Sequence, residues 1–352
     1  MFYYLKLNIV DCLLTIIRGE LRMKTVKLTR FMLSFVIAIT MIMGIRLTAD
    51  AANVTQTAQT QDSITIAFDS SKIVSGSSKL TGWTVTLQKY DNGNKIDVMT
   101  SGTLTPDVNT YTFTGLTAGT KYYAKVDYTY NSSSGKPSTG YTSNSEGIYT
   151  MPGKVTGLNQ VKWWYYIKKV DFAWDVQDAC KYEWIAYQGS KEVARNTYES
   201  TSNSGSFSIM NNKLYTVQVR AYVEINGQRV YGDWSDKAYL FTQPMIVNKG
   251  VSINGKGQMK VKWDKIDGVD SYEVYVSTKE TKGYKKVAKV KAKKGSVTIK
   301  KFKKKSFKKN KTYYVYIVAK KKVGETVYTS GRHYATMYKK GYSTLRWSFD
   351  KQ

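Results

Sequence analysis

Three short strand-like segments, each headed by a tyrosine, recur at nearly equal spacing along this chain. They are YYAKVDY (122–128), YTVQVRAY (215–222) and YYVYIVA (313–319), headed by Tyr122, Tyr215 and Tyr313. The heads lie 93 and 98 residues apart. A period of about 95 residues matches one small β-sandwich, which needs about 100 residues. The spacing therefore predicts three domains of similar architecture in tandem.

Two further strand patterns precede each tyrosine strand. One ends in an aromatic residue and an aspartate: SITIAFD (63–69), VDFAWD (170–175) and MKVKWD (259–264). The other begins with an aromatic residue: WTVTLQKY (83–90), YEWIAY (182–187) and YEVYVS (272–277). Apolar and polar residues alternate in them, as in antiparallel strands with one buried face. Because no helical period is sustained after residue 52, the predicted fold class is all-β, with three tandem antiparallel sandwiches.

The spacing around the head tyrosines resembles that of the fibronectin type III family. A core apolar residue stands six positions before the tyrosine in three pairs: Leu116–Tyr122, Ile209–Tyr215 and Phe307–Tyr313. Trp174 and Trp263 resemble the family's strand B tryptophan, which Phe68 replaces in the first unit. The resemblance implies a fibronectin type III-like (immunoglobulin-like) sandwich for each unit, in which the tyrosine closes a corner against the preceding loop. Residues 263–290 also resemble repeats from secreted and surface proteins of Gram-positive bacteria.

Two prolines mark the joints between the units, Pro152 after the first and Pro244 after the second. We predict domains at 52–151, 152–243 and 244–338, of which the third is strongly basic. Residues 339–352 form a tail with three aromatic residues, Tyr342, Trp347 and Phe349. The tail either docks on the last domain or begins a further segment.

Residues 1–51 are predicted to precede the folded part of the protein. From Met23 the chain has a basic start, an apolar run at Phe31–Ile45 and small residues up to Ala51. These features are typical of a secretory signal that is cleaved after Ala51, with residues 1–22 as an upstream extension. A membrane anchor is the alternative, but the run is shorter than the roughly 20 residues that a span needs. We expect a secreted or cell-surface protein with no transmembrane span in its mature chain.

The predicted mature chain has few of the side chains that build catalytic or metal centres. It has one histidine, His333, and one cysteine, Cys180. These are too few for a zinc site, a disulfide, or a Ser-His-Asp or Cys-His group. No glycine-rich phosphate loop is present, and we expect His333 to be a surface or half-buried strand residue. Paired carboxylates stay open on sequence alone, although most acidic residues fall in turns. We predict no enzymatic activity, no cofactor and no metal.

Positive charge is concentrated in the last third of the chain. The net charge is +28, and residues 245–352 hold 29 Lys and Arg against 7 Asp and Glu. Such asymmetry has two interpretations: a lysine-rich solvated surface, or a patch for an anionic partner. That partner would be an anionic cell-wall polymer or an acidic glycan. Base-specific nucleic-acid binding is not expected, because the sequence has no groove-reading helix and no base-stacking motif.

The densest lysine clusters lie in KKGSVTIKKFKKKSFKKNKTYYVYIV (293–318). Phe307 occupies the position of Leu116, so this stretch is predicted to be a folded corner rather than a disordered arm. Phe302 is out of phase with the preceding strand, and 303–306 is predicted to be an insertion relative to the first unit. The candidate polyanion patch consists of six lysines: Lys303, Lys304, Lys305, Lys308, Lys309 and Lys311.

A second candidate site is the aromatic run in VKWWYYIKK (161–169). Strand alternation places Trp163 and Tyr165 on one face and Trp164 and Tyr166 on the other. Trp164 and Tyr166 are therefore the candidate glycan-binding or interface aromatics. Core packing combined with an inter-domain contact is the favoured interpretation, because exposed apolar patches usually mark interfaces.

The sequence thus predicts an exported, non-catalytic interaction module whose basic third domain binds polyanions. One alternative is an accessory glycan-binding or spacer region of a secreted carbohydrate-active system. Another is a structural spacer without a ligand. A protein partner is a further candidate, and we expect a monomer.

Overall fold

The computed structural model describes residues 54–68, 76–196, 199–340 and 342–348. These residues form strands and turns, with no helix long and apolar enough among them to cross a membrane. The predicted start at Met23, the signal and its cleavage site lie outside the described residues. The strands assemble into six sheets, which pair as three sandwiches.

Eight strands form the first sandwich. They are β1 (Val54–Gln59), β2 (Ser63–Phe68), β3 (Lys79–Asp91), β4 (Asn94–Thr100), β5 (Thr110–Thr114), β6 (Lys121–Asn131), β7 (Pro137–Ser143) and β8 (Ile148–Tyr149). The smaller sheet has the order β1-β2-β5, and the larger has the order β4-β3-β6-β7 with β8 also paired to β6. The described strand pairs are antiparallel, as the alternation predicts.

Eight strands also form the second sandwich. They are β9 (Asn159–Trp164), β10 (Lys169–Ala173), β11 (Lys181–Gln188), β12 (Lys191–Arg195), β13 (Ser204–Ser208), β14 (Leu214–Ile225), β15 (Gln228–Tyr231) and β16 (Ala238–Phe241). The sheet β13-β10-β9 packs on β12-β11-β14-β15, and β16 pairs with β14. This arrangement repeats that of the first sandwich.

Nine strands form the third sandwich. They are β17 (Ile246–Ile253), β18 (Met259–Trp263), β19 (Ser271–Ser277), β20 (Lys285–Lys291), β21 (Ser296–Ile299), β22 (Tyr313–Val323), β23 (Thr326–Thr329), β24 (Tyr334–Lys339) and β25 (Tyr342–Ser348). The sheet β17-β18-β21 packs on β20-β19-β22-β24-β25, and β23 pairs with β22.

The last strand, β25, lies in the segment that the sequence predicts as a tail, for which docking on the last domain is one of the two expectations. β25 pairs antiparallel with β24, from Tyr342 opposite Lys339 to Ser348 opposite Tyr334. The tail therefore adds a strand to the sandwich, because the edge of β24 offers unpaired backbone groups to the next segment. Phe349 lies outside the described residues.

Alternating burial builds each core. In β2, Ile64, Ile66 and Phe68 are buried while the residues between them are half-buried. The same period-two pattern runs through β11 and β18. Each large apolar side chain that leaves water contributes about 1.5–3 kcal/mol, so the alternation determines which face of each sheet turns inward.

An edge-on aromatic pair repeats in the core of each sandwich. The three pairs are Phe68–Trp83, with ring centroids 4.9 Å apart, and Trp174–Tyr182 and Trp263–Tyr272, each 5.4 Å apart. Trp174 and Trp263 are buried, as is Phe68. Phe68 thus takes the place of a tryptophan and keeps the same ring contact.

Buried polar groups join the second sandwich to the third. The Gln243 side chain is 1% exposed and lies against β24. Its Oε1 accepts hydrogen bonds from the backbone N–H groups of His333 (2.9 Å) and Tyr334 (2.8 Å), and its Nε2 donates to the Tyr334 carbonyl at 2.6 Å. His333 is therefore buried at a junction, just before β24, and is not the surface or half-buried strand residue that the sequence predicts.

A second glutamine amide holds the linker between the first two sandwiches. Gln177 Oε1 accepts from the Gly153 N–H at 2.8 Å, and its Nε2 donates to the Gly153 carbonyl at 2.9 Å. Gly119 also accepts a backbone hydrogen bond from Ala179 at 2.9 Å. At both junctions a side-chain amide thus pairs with backbone groups as a neighbouring strand would.

Candidate functional site

In every sandwich a tyrosine hydroxyl is tied to the loop that precedes its strand. The hydroxyl accepts a hydrogen bond from a backbone N–H five residues earlier, in three pairs: Thr117–Tyr122 (3.1 Å), Met210–Tyr215 (2.9 Å) and Lys308–Tyr313 (3.1 Å). All three tyrosines are buried. These bonds have the geometry that the resemblance implies, and they hold each loop as a fixed corner.

We call residues 302–313 of the third sandwich the lysine corner. The chain leaves β21 at Ile299 and enters β22 at Tyr313. Between them Phe302 and Phe307 are buried, with stacked rings 6.2 Å apart, and Phe307 packs edge-on against Tyr313 at 5.2 Å. These two aromatic anchors attach the corner to the main core, so its backbone is folded although its composition is mostly lysine.

A two-residue turn forms the tip of the lysine corner. Phe302 and Lys305 exchange backbone hydrogen bonds of 2.8 and 3.1 Å. Lys303 and Lys304, between them, have positive φ angles of 49° and 66°. Positive φ at both central residues is the geometry of a type I′ turn, which usually selects Asn and Gly. The insertion predicted at 303–306 is thus a tight hairpin that presents two adjacent lysines.

The six candidate lysines are exposed and lack acidic partners. Within the described residues no salt bridge involves Lys303, Lys304, Lys305, Lys308, Lys309 or Lys311. Other lysines of the same sandwich are paired: Lys286 and Lys320 with Glu273, and Lys321 with Asp270. The corner therefore carries charge that the folded chain does not neutralise locally.

Charge is distributed unequally along the length of the third sandwich. Asp270 pairs with Lys321 near the far end of β22, while the lysine corner lies at the Tyr313 end. At about 3.3 Å per strand residue, the two ends are about 26 Å apart. This exceeds the Debye length of about 8 Å at physiological salt. β19 ends at Ser277, which lies opposite Tyr314 at the same end of the sandwich as the lysine corner. Glu280, in the loop after β19, is therefore an acidic residue at that end.

A further lysine, which sequence reasoning missed, belongs to this end of the sandwich. The Gly257 carbonyl accepts a hydrogen bond from the Phe307 N–H at 2.8 Å. Gly257 has a φ of +67°, and a Cβ there would lie 2.9 Å from the Phe307 carbonyl oxygen. The turn between β17 and β18 is therefore pressed against the corner, and it carries the exposed Lys256. Only this backbone contact identifies Lys256, since it is far from the cluster in sequence.

The equivalent corners of the first two sandwiches contact the next sandwich. At the first corner, Gly119 bonds to Ala179. At the second, Lys213 lies 3.5 Å from Asp267 of the third sandwich. Lys311 stands two residues before Tyr313, as Lys213 stands two before Tyr215. At this repeated position in the second sandwich, the corner lysine Lys213 therefore pairs with a carboxylate.

The aromatic run at 161–169 is divided between the junction and solvent. Trp163 is buried, and its ring lies 5.6 Å from that of Tyr334 in the third sandwich. The Tyr165 N–H donates to the Tyr334 hydroxyl at 3.1 Å. β9 ends at Trp164, so the strand alternation that was expected to reach Tyr166 stops there and Tyr165 lies in the following turn.

Trp164 and Tyr166 are the exposed aromatic residues of the run, at 36% and 78%. The Lys162 ammonium lies 3.7 Å from the centre of the Trp164 ring, and Trp164 Nε1 donates to Asp171 at 2.5 Å. One ring face and the polar atom of Trp164 are thus already engaged. Tyr166 lies in the turn before β10, and the two rings do not form a pair within the described contacts.

The described residues contain no group of three His, Cys, Asp or Glu that could hold a metal ion. Cys180 is buried, and burial, together with the nearby Asp178, raises the pKa of its thiol to about 12. A thiol of that pKa is protonated near neutral pH and is a poor nucleophile.

One family model matches the part of the chain that forms most of the first sandwich. The family model of the fibronectin type III domain matches residues 49–144. No curated protein sequence matches the chain. Among solved structures, the chain is similar to chicken CNTN1 FN1-FN3 domains at 12% identity, covering 78% of this chain and 94% of that one, with a TM-score of 0.29. A two-domain fibronectin type III segment from chicken tenascin is also 12% identical, covering 54% and 98%, with a TM-score of 0.30.

The strand order of the first sandwich recurs in the second and third. All three also share the tyrosine corner and the edge-on core aromatic pair. The folded chain is built from three fibronectin type III-like β-sandwiches, of which the first matches that family by sequence.

Proposed function

We propose that this chain is a non-catalytic extracellular or cell-surface interaction module that binds polyanions through its lysine corner. Fibronectin type III domains are typically interaction or spacer modules rather than enzymes. The observation that carries the proposal is the set of six exposed lysines without acidic partners, held on a folded corner. The expected export signal in residues 1–51 agrees with a role outside the cell.

The physical basis is electrostatic attraction from a fixed scaffold. The Tyr313 hydrogen bond and the two buried phenylalanines order the backbone before any ligand arrives. The ordering cost of binding then falls mainly on the flexible lysine stems, which makes the corner a preorganised cation array. A repeating anionic polymer can contact several ammonium groups at once and release its condensed counterions. Phosphate, sulfate and carboxylate polymers share this chemistry.

The first experiment compares two variants that have the same net charge. In the corner variant Lys303, Lys304, Lys305, Lys308, Lys309 and Lys311 are changed to Gln. In the control variant six exposed lysines toward the opposite end of the same sandwich are changed to Gln: Lys262, Lys265, Lys289, Lys291, Lys293 and Lys294. The chain from Ala52 is titrated with heparin, a glycerol-phosphate polymer and a carboxylate polysaccharide at several salt concentrations.

The corner variant is expected to bind at least about tenfold more weakly than the unchanged chain and to show a shallower salt dependence, because fewer counterions are released. The control variant should keep most of the affinity. Equal losses in both variants would show that net charge alone drives binding and would contradict the corner assignment. If the unchanged chain binds no polymer even at low salt, the spacer alternative is favoured. The three polymers separate the anionic groups from one another.

A further inference from the structure

The three sandwiches each have a strand at the same edge of the larger sheet, and these edges can be compared within one chain. They are β4, β12 and β20, which pair with β3, β11 and β19 respectively. Each edge strand has a β-bulge at a valine, namely Val98, Val193 and Val287. Bulges at edges are a common defence against pairing with a foreign strand. The shared bulge also aligns the three edges residue by residue.

The aligned edges differ in their charged residues. Two positions before the bulge stand Lys191 in β12 and Lys285 in β20, but Ile96 in β4. Two positions after it stand Arg195 and Lys289, but Thr100 in β4. Charged side chains on an edge strand, lysine above all, oppose edge-to-edge pairing. β12 and β20 therefore carry a protection that β4 lacks at both positions.

The β4 edge also exposes apolar side chains. All its residues are exposed, and Ile96, Val98 and Met99 are each 39–40% exposed. Tyr90 of the adjoining β3 is 54% exposed. An exposed strand with apolar side chains and few charges favours the addition of another strand.

We propose that β4 pairs antiparallel with β4 of a second copy of this chain, across a two-fold axis through Ile96. An isologous contact requires a self-complementary surface, and β4 offers one. In this register Ile96 faces Ile96, and Lys95 of each copy faces Asp97 of the other. Lys95 and Asp97 lie on one face of the sheet, because they are paired with Tyr90 and Gln88 of β3. Directly opposed residues have Cβ atoms about 5 Å apart, close enough for two ion pairs.

Within one chain both charged side chains contact the neighbouring strands β6 and β3, and the pairing turns them toward the other copy. The Lys95 ammonium lies 4.4 Å from the centre of the Tyr123 ring. Asp97 Oδ1 accepts a hydrogen bond from Gln88 Nε2 at 2.8 Å. The pairing joins the two larger sheets into one continuous sheet. A contact this small suits a weak dimer, with a dissociation constant on the order of 100 µM.

Charge reversal tests the register directly. Sedimentation equilibrium of the chain from Ala52 is expected to show a monomer–dimer equilibrium. Lys95→Asp and Asp97→Lys should each weaken the dimer at least about tenfold, because each places like charges opposite one another. An equimolar mixture of the two variants should associate again, since every opposed pair is then of opposite charge.

Ile96→Lys provides a second test that does not depend on folding losses. It gives β4 the residue that β12 and β20 have at the same position, and both of those strands fold. This variant should be monomeric with an unchanged melting temperature. Lys191→Asp on β12 is the matched control and should leave the dimer intact. The proposal is overturned if the unchanged chain stays monomeric up to about 0.5 mM, if the mixed variants fail to associate, or if Ile96→Lys still dimerises.

Discussion

At the scale of single residues, the tip of the lysine corner is the least expected feature. Lys303 and Lys304 have positive φ angles, a conformation that costs a residue with a side chain about 1–2 kcal/mol. The neighbouring Phe302 is buried, and its backbone pairs with that of Lys305, so the surrounding structure maintains the turn. The turn thus holds two adjacent lysines at the surface of the sandwich.

Removing one hydroxyl tests how much the corner depends on its tyrosine. Tyr313→Phe deletes the acceptor of the Lys308 N–H and should lower the free energy of unfolding by about 1 kcal/mol. Tyr314→Phe is the matched control, because this half-buried neighbour lies on the opposite face of β22, and it should change stability by less than about 0.5 kcal/mol. Urea denaturation followed by fluorescence measures both. Equal effects of the two changes would show that the corner bond does not stabilise the fold.

At the scale of elements, the larger sheet of the third sandwich contains a buried carboxylate. Glu273 in β19 is 4% exposed, and its oxygens lie 3.2 Å from Lys286 Nζ and 3.0 Å from Lys320 Nζ. The Tyr275 hydroxyl donates to it at 2.8 Å. Burial by itself would raise the pKa of Glu273, but these donors lower it from an ordinary value of 4.5 to about 2. Burial and the Glu273 carboxylate raise the pKa of Tyr275 to about 12, so its phenol remains a donor.

This cluster predicts how stability depends on pH. A carboxyl whose pKa is lower in the folded state contributes stability above its unfolded pKa and loses it as the pH falls through its folded pKa. The contribution of Glu273 is therefore complete above about pH 4.5 and lost toward pH 2, on the order of 2 kcal/mol. Glu273→Gln should be less stable than the unchanged chain at pH 6, and the difference should shrink as the pH approaches 2. Urea denaturation at intervals across this range measures the difference, and a gap that is independent of pH would contradict the assignment.

The lysines of the edge strand β20 differ in their contacts. Lys286 forms an ion pair with Glu273, whereas Lys289 is exposed at the edge of the sheet. Glu273 pairs with Lys286 and Lys320 on the two neighbouring strands, although Lys289 is the residue directly opposite it on β20. The lysine corner lies between β21 and β22, outside these paired strands, and its six lysines form no ion pair in the described residues.

At the scale of the whole molecule, one amide side chain connects the second and third sandwiches, and another holds the linker between the first two. Gln243 satisfies two backbone N–H groups and one carbonyl of residues 333–334. Tyr334 also packs in the core of the second sandwich, and Phe241 packs in the core of the third. The second and third sandwiches therefore share buried residues across their junction, which favours their unfolding as one unit.

Gln243→Ala tests this coupling. The change leaves buried backbone groups without partners, each at a cost of about 1–3 kcal/mol, and should separate one calorimetric transition of the second and third sandwiches into two. Gln218→Ala is the control, because Gln218 Nε2 donates to the Ser235 carbonyl within the second sandwich and spans no junction. If both variants lose the same stability and keep the same transitions, the amide does not couple the sandwiches.

The sequence alone determines the architecture, because the signals that specify it are local. Period-two alternation decides which face of a strand is buried, and the six-residue spacing from Phe307 to Tyr313 places each corner. The six lysines could be assigned to a corner for the same reason. Val98, Val193 and Val287 can be found in the sequence. They are identified as β-bulges only when the residues of each edge strand are matched to those of its partner strand.

Tertiary structure decided what depends on partners distant in the chain. Lys320 forms an ion pair with Glu273, whereas Lys308 forms none in the described residues. Composition cannot distinguish the two lysines, because the ion pair depends on how β19 and β22 lie side by side. The burial of His333 depends on Gln243, 90 residues away, and Lys256 joins the corner only through a turn contact. Sequence predicts a monomer, and only the alignment of three edges in space leads us to propose a dimer. Local patterns in the sequence specify the sandwiches. Which charges lack a partner and which strand edges stay open depends on long-range contacts, which form only when the sandwiches fold.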